Sequence, residues 1–155
     1  MNIKNKGTYY SNDQLSNIIK RMALKASPKE LIICENRKDI LHYIRRFHAA
    51  DRCSILLDIT IWCGKVDGIY LERSGIIMIF VFSQTADGMD NQSKQLYSLH
   101  SLAHEMRHVW QQRNNFTKDV EKDADHFATK FINTNSEYIS KIMNWEEEWE
   151  VEEEE

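Results

Sequence analysis

The stretch "LAHEMRHVWQQR", residues 102–113, places His104 and His108 four residues apart, with Glu105 directly after the first histidine. On an α-helix, side chains at i and i+4 project from one face about one turn apart, so both imidazoles can reach one ion. A catalytic zinc takes three protein ligands and keeps its fourth position for water. Glu105, one step round the helix, then reaches that water rather than the metal and can act as general base. His-Glu-x-x-His on a helix is the pattern of zinc proteases. The pattern is short, and the competing reading is an ordinary helix face carrying solvated polar residues.

A second stretch, "EKDADHFA", begins thirteen residues after His108. Glu121 and Asp125 are again i and i+4, so one carboxylate can complete a metal's ligand set while the other orients a ligand histidine and fixes its tautomer. His100 lies one turn before His104, but the helix drifts by about 40° over four residues, which puts it at a cleft rim or in solvent. Arg107 points away from both histidines and reads as a surface or ion-pair residue.

The elements that carry these residues follow from apolar periodicity. "SNDQLSNIIKRMALKA" (11–26) opens with a capping-box pattern, Ser11 and Gln14, and spaces Leu15, Ile18, Ile19 and Met22 along one helical face. "ELIICE" (30–35) reads as a strand, and "NRKDILHYIRRFHAAD" (36–51) as a helix with Ile40, Leu41, Ile44 and Phe47 inward. "CSILLDITIWCG" (53–64), "GIYLER" (68–73) and "GIIMIFVFS" (75–83), separated by turn-forming residues, predict an antiparallel meander. The third run is apolar on both faces, which makes it a core strand first and a place for an extended peptide to pair second. From Ser93, Leu96, Leu99, Ala103, Met106 and Trp110 trace a helical stripe through the first motif. "NNFTKD" breaks it, and Val120, Ala124, Phe127 and Phe131 form a new stripe through the second. A last helix lies in "SEYISKIMNWEEEW".

At 155 residues, 42% of them hydrophobic, the chain is expected to fold as one compact domain over residues 1–145. Residues 146–155 contain eight glutamates and read as an acidic tail, and setting them aside turns a net charge of −4 into +4. Like-charge blocks are usually solvated and disordered; the alternative is an interaction tail with Trp145 and Trp149 as anchors. Cys34, Cys53 and Cys63 contain no CxxC pair and suggest neither a disulfide framework nor a thiolate zinc site. With no signal-like start and no run of membrane-spanning length, the expected location is cytoplasmic, with no membrane partner. No DNA-reading helix pair is visible, so direct nucleic-acid binding is not expected. The sequence does not give the oligomeric state.

HExxH on one helix with Glu-x-x-x-Asp on the next resembles the glutamate zincins, or gluzincins. That resemblance implies Glu121 as third zinc ligand and Asp125 as the residue supporting a ligand histidine from outside. Within the group, "SLAHEMRH" and "EKDADHFA" are most similar to the ImmA/IrrE metallopeptidases, over residues 76–132. Arg107 stands where that family usually has glycine, and "TKFINTN" replaces its leucine-rich, proline-ended continuation. The resemblance implies cleavage of a protein substrate, such as a separate helix-turn-helix repressor. The resulting expectation is an α+β minimal zincin-like domain with a small, mostly antiparallel sheet. Zn2+ would be held by His104, His108 and Glu121, Glu105 would be the catalytic base, and Asp125 would lie behind the ligands. The rival is an inactive zinc-binding protein that recruits partners through its acidic tail.

Overall fold

The structure, a computed structural model, describes residues 1–43, 55–84 and 89–152. Its elements run β1 (Asn2–Asn5), α1 (Asn12–Arg21), β2 (Glu30–Cys34), α2 (37–43), α3 (Ile55–Trp62), β3 (Gly68–Leu71), β4 (Ile76–Phe80), α4 (Asn91–Arg113), α5 (Val120–Thr134) and α6 (Ser136–Met143). Of the residues expected on the second helix, Ile44 and Phe47 lie outside those described, as does Cys53. The capping box forms as the sequence predicts: Ser11 and Gln14 satisfy each other's backbone N–H, and Leu15 and Ile18 turn inward.

The four strands form one sheet in the order β1-β2-β4-β3. β1 with β2 and β2 with β4 are parallel, and only β3 with β4 is antiparallel. The fold is α+β, but the expected mostly antiparallel sheet is corrected to a mixed and mainly parallel one. The cause is connectivity. A helical crossover between neighbouring strands returns the chain in the same direction, and α1 makes that connection from β1 to β2. Only the short turn between Leu71 and Ile76, with Gly75 at φ 69°, reverses it.

Two sequence expectations fail here. The polar start contains an edge strand, β1, paired through Ile3 and its neighbours to β2. The run 53–64, expected as a strand, instead contains helix α3. Its β-branched composition suits a strand, but Leu57 and Ile61, four apart, both pack on the sheet as one helical face. Ile59 and Trp62 remain exposed on the other side.

The sheet is covered on both faces, which explains why β4, and β2 after Glu30, are apolar. Leu31, Ile33, Ile77 and Ile79 face a core built with α1, α4, α5 and α6. Ile32, Cys34, Ile76, Met78 and Phe80 face a second cluster with Ile40 and Ile61. α4 lies over the first face, burying Leu96, Leu99, Leu102, Ala103, Met106 and Val109. No helix among the described residues is long and apolar enough to cross a membrane.

The acidic segment departs from its expected solvated state as far as residue 152. Trp145 and Trp149 pack edge-to-face, with centroids 5.5 Å apart, and rest against the main core. Their indole N–H groups donate to Gln95 Oε1 and Ser140 Oγ, both at 2.8 Å. Val151 is buried, and its backbone N–H and C=O both pair with the Asn133 amide. The glutamates alternate with these apolar anchors, so charge stays outside while the indoles are covered.

Two outcomes follow. Trp149→Ala should lower unfolding free energy by about 2 kcal/mol, below the range for a fully buried tryptophan because this one is half covered; an unchanged denaturant midpoint would contradict the packed tail. Burial, reinforced by nearby Asp39, pushes the Cys34 thiol up to about 12, so almost no thiolate exists at pH 8. Alkylation followed by peptide mapping should label exposed Cys63 and spare Cys34 until denaturant is added.

Candidate metal centre

α4 and α5 are antiparallel neighbours joined by a short turn, and their facing sides bring the two motifs together. His104 and His108 lie one turn apart on α4, each half-buried, and their Nε2 atoms are 2.9 Å apart. Glu121, in the first turn of α5, brings Oε2 to 3.4 Å from His104 Nε2 and 3.6 Å from His108 Nε2. Among the described residues these three form the one group of His, Cys, Asp or Glu side chains placed to share a metal ion.

Each imidazole is anchored at its other nitrogen. His104 Nδ1 lies 2.7 Å from Asp125 Oδ1, and His108 Nδ1 lies 2.7 Å from Gln111 Oε1. A carboxylate oxygen and an amide oxygen only accept, so each Nδ1 carries a proton, and a neutral ring then presents its Nε2 lone pair to the centre. In that form three acceptors converge, an arrangement that a shared cation would satisfy. A tetrahedral zinc with nitrogen and oxygen ligands sets its donor atoms about 3.3 Å apart, and the three distances bracket that value. The donor set fits zinc.

Glu105 is not part of this trio. It is 8% exposed and lies beneath β3, where a side chain on Gly68 would come within 3.0 Å of Glu105 Cγ. Burial raises its carboxyl affinity for a proton; His104 and His108 oppose this, Glu121 adds to it, and a hydrogen bond from the Tyr70 backbone opposes it. Two grooves, about 380 and 770 Å³, meet at Gly68, His104 and Glu105, so a cleft passes the site on both sides. His100 lines the larger groove, 3.0 Å from Thr129 Oγ1, the rim position its spacing predicts. Residues 150–152 form part of the same wall.

The structure thus brings together every residue singled out in the sequence: His104, Glu105, His108, Glu121 and Asp125. It also adds some that sequence reasoning missed. Gln111 carries the i+3 spacing from His108 that could have found it; Gly68 and Tyr70 carry no local signal, because only the fold sets β3 over α4. The run 75–83, expected first as a core strand and second as a place for a peptide to pair, contains the inner strand β4, hydrogen-bonded on both sides; β3 is the edge strand at the site. Arg107 forms the expected ion pair, but it is turned toward α5, where Nε and Nη2 bond Asp123 at 2.7 and 3.0 Å. Comparison with family models, with curated proteins and with solved structures finds no match for this chain.

As a zinc centre, this arrangement makes Asp125→Ala lower zinc affinity ten- to a hundredfold by releasing the His104 ring. Competition with a chromophoric chelator measures it, and His126→Ala on the exposed side of α5 serves as the control. Equal affinities in the two variants would remove Asp125 from the site.

Proposed function

We propose that this chain is a zinc-dependent peptidase of the zincin type that hydrolyses a peptide bond in a protein substrate. The observation that carries the reading is a buried glutamate, Glu105, set beside a three-acceptor cation site without belonging to it. A site that only holds metal has no use for such a group.

Bound at His104, His108 and Glu121, zinc supplies Lewis acidity toward water and toward a scissile carbonyl. Glu105 takes the proton from the attacking water at its carboxylate and passes it to the nitrogen of the departing amine. Its desolvated position suits that exchange, since a raised proton affinity makes a stronger base than a solvent-exposed carboxylate. Asp125 keeps the Nδ1 proton of His104 in place, and Glu105 itself is steadied by the Tyr70 backbone.

The edge strand supports an extended substrate. Asp67 accepts from the Phe80 N–H at 2.8 Å, so by strand alternation residues 69 and 71 face β4, while Gly68 and Tyr70 turn their backbone groups to the outer edge. The Tyr70 N–H is engaged by Glu105, so an extended peptide would pair with this edge at Gly68 and bring its backbone past Glu105. The resemblance to ImmA/IrrE metallopeptidases points to a regulatory protein, such as a helix-turn-helix repressor, as substrate. The rival reading, an inactive zinc protein recruiting partners through tail tryptophans, is weakened because Trp145 and Trp149 are engaged with the core.

The test pairs two variants. Metal content by mass spectrometry should be about one zinc per wild-type chain, retained in Glu105→Gln and much reduced in Glu121→Ala. Incubation with a peptide library, read out as new termini, should give cleavage by the wild type and none by either variant. Full zinc in Glu121→Ala would overturn the ligand assignment, and undiminished cleavage by Glu105→Gln would overturn the catalytic one.

A further inference from the structure

Two histidines of one motif are supported by different chemistry. His104 leans on a carboxylate, whereas His108 leans on a neutral amide, and the reason lies in the residue between the histidines. Positions 104, 107, 108 and 111 share the side of α4 that meets α5. Arg107 crosses to Asp123 with two parallel hydrogen bonds, and its guanidinium packs over Trp110 at 3.9 Å and Phe127 at 5.2 Å from the ring centroids. Both Asp123 carboxylate oxygens face the guanidinium, Oδ2 toward Nε and Oδ1 toward Nη2.

Gln111 is 3% exposed, and its Nε2 donates to Asp123 Oδ2 at 2.8 Å and to Val120 O at 2.7 Å. Both partners only accept, so the amide cannot turn round without setting its oxygen against two oxygens. Its Oε1 is therefore fixed toward His108 Nδ1, 2.7 Å away. The proton of His108 must then sit on Nδ1, and Nε2 must face His104 and Glu121. A carboxylate in place of Gln111 would keep the acceptor for His108 but place a second negative charge against Asp123.

We propose that Arg107 and Gln111 are positioning residues for the metal centre: through Asp123 they lock the orientation and tautomer of His108. The inference rests on the metal reading above, and it gives the arginine within the HExxH motif a role. Arg107 fixes Asp123, Asp123 and the Val120 carbonyl fix Gln111, and Gln111 fixes the ligand. The same contacts tie α4 to the first turn of α5, which carries Glu121.

Two measurements on the full chain test this. On metal-free protein, long-range proton–nitrogen correlation should report His108 in the Nδ1–H form in the wild type. Gln111→Met should shift it to a mixture of tautomers. On titration with zinc against a chelator, Gln111→Met should bind ten- to a hundredfold more weakly. Arg107→Gly should also bind more weakly, with Arg107→Lys between it and the wild type. An Nε2–H tautomer in the wild type, which needs no variant to fold, overturns the relay. So does Gln111→Met with an unchanged tautomer and zinc affinity within twofold of wild type. A wild-type chain that takes up no zinc overturns the metal reading itself, and the tautomer of His108 tells that failure apart from failure of the relay.

Discussion

Three acceptor atoms facing one another across 2.9 to 3.6 Å form the constraint around which this end of the molecule is arranged. In the neutral rings the imidazole lone pairs and the carboxylate oxygen repel at such distances, and each would rotate toward water if free to do so. They are held by what lies behind them. Asp125 and Gln111 grip the Nδ1 atoms, and the Arg107–Asp123 pair holds α5 against α4. The helices also share a core through Ala103, Met106 and Ala128, and the small buried residues Ala124 and Ala128 on α5 let its backbone come close.

The sheet serves the same arrangement at one remove. α4 needs a flat apolar surface under its whole length, and the inner strands supply it through Ile77 and Ile79. β3, at the edge, then lies beside the one stretch of α4 that carries polar chemistry. At Gly68 a Cβ would meet Glu105 Cγ at 3.0 Å and Ile79 Cδ1 at 3.1 Å. The absent side chain lets Glu105 remain under the strand edge.

The readable part of this site was the part governed by a single helix. The spacing of His104 with His108 and of Glu121 with Asp125 follows from the helical repeat, and the two stripes of apolar residues told which faces lie inward. What could not be read depends on how separate elements meet. The partner of Arg107 is set by the crossing of α4 and α5, and the position of β3 by a sheet order that skips a strand in sequence. β1 escaped notice because an edge strand on a half-polar stretch has only Ile3 to mark it. α3 reads as a strand because its isoleucines and threonine carry a strand preference, which tertiary packing overrides where Leu57 and Ile61 meet the sheet at helical spacing. The tail was misjudged because charge dominated the count, although its tryptophans sit four apart and its glutamates fall between them.

The two glutamates at the site show how environment separates roles that residue type cannot. Glu121 has a side chain 73% exposed, and its Oε2 faces the Nε2 atoms of both imidazoles. A carboxylate there loses little hydration, and a shared cation would supply the attraction that draws it inward. Glu105 is the reverse case: it is shut beneath β3, its charge is opposed by burial, and the Tyr70 backbone hydrogen-bonds to it. A carboxylate in that setting gains by accepting a proton, whereas one at the mouth gains by meeting a cation. Adjacent histidines act on both, so a cation between the imidazoles would draw on Glu121 at the mouth, while Glu105 stays under the strand edge on the wall of the same cleft.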